Sequence, residues 1–365
     1  MSLITKLAPI CNSISTLPKK SYYKEKKIEV EDIQQISLEE IFNRNFFEIK
    51  NSSFNKFKNK KILVTGGGGS IGFEICKQLL KANPKKIIVL DHSEFNIYRF
   101  NQKLNNDKIS LILGDVKDRS FIKNIIDKHK FDFIFHAAAY KHVKFLETNL
   151  LSAIDNNIFG TYSILKAIKN KKTNFIFIST DKAVKPKNIL GMTKRIGEML
   201  TQITSLNKEY KKNKFSIVRF GNVIGSDGSA LPLFVDQIKR NLPISITDIK
   251  MKRYFMSIKE ACSLVIQSSK LNSNGNIFVL DMGKQIKIIE IIRRLFDIYK
   301  KPDQSLKLKI IGNKYNEKIS ENLFLSRKYL KSKYKKIFIV KEPIPNNKIF
   351  FSLLDQLNQS LKDYD

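Results

Sequence analysis

Three cysteines in 365 residues, Cys11, Cys76 and Cys262, are odd in number and far apart. They exclude a small disulfide-stapled scaffold and provide no paired spacing that could grip zinc, so no metal is expected and the thiols read as reduced ones in a cytoplasmic protein. Long apolar runs are missing as well. The opening stretch SLITKLAPICNSISTL is broken by Lys6, Pro9 and Asn12. It falls short of the roughly 20 apolar residues a membrane span needs, and no integral membrane segment or cleavable signal is expected. Acidic residues are in the minority, 34 against 66 lysines and arginines, for a net charge of +32. That excess is scattered through the whole chain, with no aromatic-interleaved basic motif, and describes a solvated surface with no nucleic-acid partner. There is no internal repeat.

What is present begins with KKILVTGGGGSIGFEIC, Lys60 to Cys76. A β-branched and apolar run, Ile62 to Thr65, enters glycines and then a helical pattern carried by Ile71, Ile75, Leu79 and Leu80. Gly66, Gly69 and Gly72, with Ser70 and Ile71 between them, fit a G-x-x-G-x-x-G frame. Missing side chains there let backbone amides at a helix N-terminus approach a pyrophosphate. A second strand ends in Asp91, about 20 residues past the last glycine, where a carboxylate bonds ribose hydroxyls. A carboxylate repels a 2′-phosphate and no arginine follows it directly, which favours NAD over NADP.

Strand-like runs recur at 62–65, 86–91, 109–113, 132–136, 174–179 and 215–219, each followed by a helical stretch. This is the alternation of an α/β protein with a Rossmann-like doubly wound parallel sheet. The length exceeds what one core usually fills. The expected division is an arm over 1–60, a dinucleotide-binding domain over 61–225, a smaller and partly interleaved substrate lobe over 226–345, punctuated by Pro232 and Pro243, and a helical tail over 346–365. Within the arm, Ser37 and Glu40 match a capping box.

In such sheets ligands bind beyond the carboxyl ends of the strands. The third strand ends in GDVKD, placing Asp115 and Val116 against an adenine ring. The fourth ends in HAAAYKHV: Ala137 and Ala138 are small enough for a cofactor to lie on the backbone, His136 reads as a packed strand-end histidine, and Lys141 and His142 lie further toward the cleft as candidates for substrate contact. His92 and His129 read as surface residues. The fifth strand ends in Ser179-Thr180-Asp181-Lys182, dense functionality where a sugar would sit. Lys194 follows Leu190 by four residues, on one helix face.

The strings HAAAYKHV, ISTDKAVKP, GMTKR, VRFGNVIGS, MKRYFMSIKEA, FVLDMG and NKYNEKISENL together resemble those of UDP-N-acetylglucosamine 4,6-dehydratases, extended short-chain dehydrogenases/reductases of bacterial polysaccharide synthesis. The likeness runs from about residue 28 to 325. The segment KKIEVEDI is similar to one that joins the catalytic part to a membrane-spanning domain in longer members, a domain expected to be absent here. Most short-chain dehydrogenases carry a tyrosine where this chain has Leu190, which exchanges no protons. The dehydratase subgroup that also lacks it relies on the Thr-Asp-Lys run and keeps the configuration at C5.

The resemblance implies an internal redox cycle on UDP-N-acetylglucosamine with NAD as a retained cofactor. Hydride leaves C4, the C5 proton becomes acidic, the C6 oxygen departs as water and hydride returns to C6. By this likeness Thr180 orients the C4 hydroxyl, Asp181 protonates the leaving oxygen, Lys182 removes the C5 proton and Lys194 holds the nicotinamide ribose. Asn222, the stretch Leu231, Pro232 and Phe234, and Arg253 would contact diphosphate and uracil; the family's RPGEK is altered here to Lys314-Tyr315-Asn316-Glu317-Lys318. Family habit also favours a homo-oligomer. Lys182 faces an energetic difficulty: at an ordinary pKa near 10.4 a lysine is neutral about once in a thousand molecules near pH 7.4, a deficit of roughly 4 kcal/mol for a base. Two other functions share the fold, a nucleotide-sugar C4 epimerase and a catalytically idle NAD-binding regulator.

Overall fold

The computed structural model describes residues 38–42, 44–47, 51–271, 274–326 and 328–363. Cys11 and Ser37, and with Ser37 the capping-box expectation, lie outside the described residues. Nine strands form the main sheet: β1 (Lys61–Thr65), β2 (Lys86–Asp91), β3 (Ile109–Leu113), β4 (Phe133–His136), β5 (Asn174–Thr180), β6 (Lys214–Phe220), β7 (Asn274–Leu280), β8 (Leu330–Lys331) and β9 (Ile337–Val340). Their order is β8-β9-β7-β6-β5-β4-β1-β2-β3. Pairing is parallel from β3 through β7 and antiparallel for β7 with β9 and β9 with β8. The six strands read from sequence sit where the apolar runs placed them, with ends displaced by at most one residue.

Both faces of the sheet are covered, and the period-2 alternation assigns residues to them. Leu63, Ile88, Ile134, Phe175 and Ile217 face one buried cluster, while Ile62, Val64, Val89, Phe135 and Ile176 face the other. Helices α1 (Ser70–Leu80), α2 (Glu94–Lys103), α3 (Arg119–His129), α4 (Gly160–Ala167), α5 (Ile189–Leu206) and α6 (Ala230–Lys239) follow successive strands. α7 (Ile258–Ser268) packs against α1, and α8 (Ile288–Tyr299) against α6.

Two features of the structure bear on the division of the chain. Residues of β7, β8 and β9 return from the expected substrate lobe into the main sheet, so its edge is built from both halves. The arm is not detached: Ile41 and Phe42 are buried in the small-lobe core with Ile224, Val235, Ile292 and Leu295, and Phe54 and Phe57 in a sheet core. Arg44 fastens the arm, donating to the carbonyls of Phe255 at 2.8 Å and Met282 at 2.7 Å and to Glu260 Oε1 at 2.6 Å. The last helix is α9 (Asn347–Asp363). Cys76 and Cys262 are buried and unbridged, and among the described residues no helix is long and apolar enough to cross a membrane.

Candidate active site

The sheet's direction of winding reverses between β1 and β4, and a cleft of about 500 Å³ opens beyond their carboxyl ends. It is lined by Gly66, Gly69, Ser70, Ile71 and Gly72 of the first turn, by Asp91 and Val116, by Ala137 and Ala138, and by Lys141 and His142. The glycine loop has this shape for steric reasons. Gly66 has φ +62°, and a Cβ there would lie 2.6 Å from the Ala138 backbone. A Cβ on Gly72 would lie 2.3 Å from the Gly66 carbonyl oxygen, so the bare glycine lets α1 start directly on the turn. Gly69 has no such crowding, which leaves its backbone open to the cleft. A phosphate-bearing group fits this cradle, because N-terminal amides of a helix have no partners within it.

Asp91 is buried, and its two carboxylate oxygens accept from Gly68 N at 3.1 Å and Ser93 N at 3.0 Å. It thereby fixes the glycine loop and the start of α2, with acceptor capacity left for a ribose. Two of the expected cofactor residues, Asp115 and Lys194, stand outside the cleft lining; Asp115 accepts from Lys117 N at 2.9 Å and pairs with the Lys117 ammonium. His92 is exposed but at the cleft mouth, edge-on to Tyr140, and His129 stacks on Phe131. His136 is fully buried between Thr65 Oγ1 at 2.7 Å and Thr161 Oγ1 at 2.9 Å. Burial and then the Lys194 charge pull it down to about 3. It is a neutral, satisfied core histidine.

The end of β5 holds the reactive groups. Thr180 Oγ1 donates to Asp181 Oδ1 at 3.0 Å and accepts from Lys182 N at 3.4 Å, bending the chain into a single tight turn. Asp181 is fully buried, and its Oδ2 has no hydrogen-bond partner. Burial, despite Lys182, raises its pKa. α5 is capped by Asn188, whose side chain accepts from Gly191 N at 2.9 Å. Gly191 and Gly197 let that helix lie against the turn and strand: a Cβ would come 2.4 Å from the Lys182 carbonyl in one case and 2.5 Å from the Phe177 ring in the other. This close approach carries Lys194 under β5, where its Nζ donates to Ile178 O at 2.8 Å and lies 4.9 Å from the Phe177 ring centroid. Burial pulls Lys194 down to about 8. Leu190 is buried with Leu146 and Ala153, against Tyr140 and Val143.

Lys182 does not present a free amine. Its Nζ donates to Asp181 Oδ1 at 3.1 Å and Asn222 Oδ1 at 3.0 Å and lies 3.5 Å from Glu321 Oε1. Burial lowers its pKa, but Asp181 and Glu321 more than offset this and the net shift is upward. Other expected contacts also differ. The sequence reading set Arg253 on a diphosphate; the structure buries it and occupies its fork with Glu317 Oε2 at 3.2 Å and the Lys318 carbonyl at 2.7 Å. Leu231 and Phe234 are buried in the small-lobe core, with only Pro232 of that trio partly exposed. The side chains of the two large residues hold α6 in place because they lie on its inner face.

Two groups escaped the sequence reading. Glu321 is one. Asn157 is the other: it sits in a π-helical turn, Asp155–Phe159, and clamps the strand-end segment by accepting from Tyr140 N at 2.8 Å and donating to Thr193 Oγ1 at 3.1 Å. Such turns concentrate at functional sites, but no local sequence pattern marks this one.

The family described as "Polysaccharide biosynthesis protein" matches residues 62–342. The capsular polysaccharide biosynthesis protein CapD of Staphylococcus aureus is 41% identical over 304 residues, 81% of this chain and 50% of that protein. The chain thus spans about half the length of that relative. A protein of Rickettsia rickettsii named UDP-glucose 4-epimerase is 33% identical over 76% of this chain and 81% of its own length. Among solved structures, Pen from Bacillus thuringiensis superposes with a TM-score of 0.73 at 33% identity, over 80% of this chain and 92% of its own.

Proposed function

The chain belongs to the polysaccharide biosynthesis protein family, and from that premise we propose that it is a UDP-N-acetylglucosamine 4,6-dehydratase that retains the C5 configuration and uses NAD. The observation that carries the reading is the end of β5. An acid, an amine and a hydroxyl are bonded to one another there, above Lys194, while Leu190 fills the place of a proton-exchanging tyrosine with an apolar side chain.

NAD bound in the glycine-loop cleft supplies the hydride acceptor that makes C4 a ketone and the hydride that later reaches C6. The chain's residues handle the protons. A C4 hydroxyl donating to Thr180 Oγ1 is one hydrogen bond from Asp181, since Thr180 itself donates to Oδ1 at 3.0 Å. The proton given up at C4 therefore restores the acid form of Asp181, and Asp181 delivers a proton to the C6 oxygen, which leaves as water. Lys182 takes the proton from C5 and returns it there on the same face, which retains the configuration. Lys194 is the residue we assign to the nicotinamide ribose.

The named epimerase relative supports a second reading, exchange of configuration at C4. Leu190 favours dehydration, because the epimerase chemistry leans on a proton-exchanging group at that helix position. Incubation with UDP-N-acetylglucosamine and mass spectrometry separates the two. Dehydration gives a product lighter by one water; unchanged mass with an altered sugar identifies epimerisation, and an untouched substrate refutes both.

A further inference from the structure

Glu321 lies outside every motif so far given a chemical role, yet it is a buried carboxylate. It is 3% exposed, its backbone is held on both sides by Gln285, with N donating to Gln285 Oε1 at 3.2 Å and O accepting from Gln285 Nε2 at 2.9 Å, and its buried Oε2 lies 3.4 Å from the Lys318 ammonium. We infer that Glu321 is a positioning residue for Lys182: with Asp181 Oδ1 and Asn222 Oδ1 its carboxylate completes a three-acceptor seat for the Lys182 ammonium. This deepens the dehydratase reading and rests on it for the identity of the proton moved.

An ammonium has three donors and no acceptor. Lys182 meets one oxygen from its own turn, one from the strand after β6 and one from the segment beyond the small lobe, at 3.1, 3.0 and 3.5 Å. The charges facing this seat are Asp181, Glu321, Arg253 at 4.0 Å from Glu321, and Lys318 at 3.4 Å from Glu321, with Glu317 held by Arg253 and Lys194 on the far side of β5. When Lys182 takes the C5 proton, positive charge develops beside the Glu321 carboxylate. Charge that appears in the transition state and is met by a fixed opposite charge lowers the barrier. The same carboxylate makes the free amine rarer at a given pH, because a nearby anion favours the ammonium. Glu321 thus trades population of the base for strength of the base.

The consequence is a paired signature that loss of packing does not produce. In Glu321→Gln the alkaline plateau of kcat falls by about tenfold or more, while the midpoint of the rising limb moves to lower pH by about one to three units. Glu321→Asp, with the charge kept, returns the midpoint toward that of the parent. A second measurement needs no sugar: the rate of Lys182 acetylation by acetic anhydride, followed peptide by peptide across the same pH range, moves in the same direction in Glu321→Gln. A plateau lowered at constant midpoint, with unchanged acetylation, reduces Glu321 to a packing residue and overturns the inference. If the acetylation midpoint shifts but UDP-N-acetylglucosamine is not dehydrated, the seat stands and the dehydratase reading falls.

Discussion

Lys194 should make this protein less stable than it could be, and replacing it with methionine isolates that cost. The ammonium is buried, with one carbonyl partner at 2.8 Å and the Phe177 ring beside it, and burial takes it from an ordinary 10.5 to about 8. A lysine depressed in the folded state means that the unfolded chain binds the proton more tightly. Stability therefore rises with pH between the folded value near 8 and the unfolded value near 10.5. Linkage over that gap gives a penalty of roughly 3 kcal/mol at pH 7 and below about 1 kcal/mol at pH 10. Methionine does not titrate, so other pH-dependent contributions cancel when Lys194→Met is compared with the parent. The stability of the variant relative to the parent should fall by about 2 to 3 kcal/mol from pH 7 to pH 10, whatever the lost carbonyl bond contributes as a constant offset. Urea unfolding at four pH values measures it. A difference that stays flat across the range refutes the buried-ammonium argument. Turnover of UDP-N-acetylglucosamine should be lost in Lys194→Met at every pH, because the ribose contact proposed for its amine would go with it.

Gly66→Ala should abolish NAD binding measured by calorimetry, weakening it at least tenfold. Its backbone is left-handed at φ +62°, and the added Cβ would lie 2.6 Å from Ala138, with strain of about 1 to 3 kcal/mol that the turn can relieve only by moving. Unaltered affinity would refute the cradle. Arg219→Met should destabilise the fold by about 3 to 5 kcal/mol in urea unfolding, since it leaves the buried carboxylates of Glu198 and Glu342 with only Arg195 between them. Arg219 is fully buried, donating to Glu198 Oε1 and Oε2 at 2.6 Å each and to Glu342 Oε2 at 2.9 Å. Adding Glu198→Gln and Glu342→Gln should recover much of the loss, and a triple variant no better than Arg219→Met would contradict the account.

The parallel strands were legible because they are buried on both faces. NFIFIS and ILVT read as continuous apolar or β-branched runs wherever they occur, and glycines and polar residues mark where each run stops. The first turn was legible for the same local reason: glycine spacing is a statement about backbone clearance, and Gly66 and Gly72 meet neighbouring backbone. The small lobe was harder. Leu231 and Phe234, read as ligand contacts near a helix start, lie on the inner face of a ten-residue helix, a placement that depends on what packs opposite. β7 and β9 join a sheet whose other strands ended far back in the chain, and no pattern within 274–280 or 337–340 states which edge they extend. Lys182 shows the limit most clearly. The run Thr180-Asp181-Lys182 names the atoms able to move protons, but the state of the amine is settled by oxygens drawn from Asp181, Asn222 and Glu321. Two of those three are supplied by chain 40 and more residues away, so spacing carries no trace of them. The inventory of a site can be local while its protonation is not, and here the distant carboxylate decides whether the reacting group enters the cycle as an ammonium or as a base.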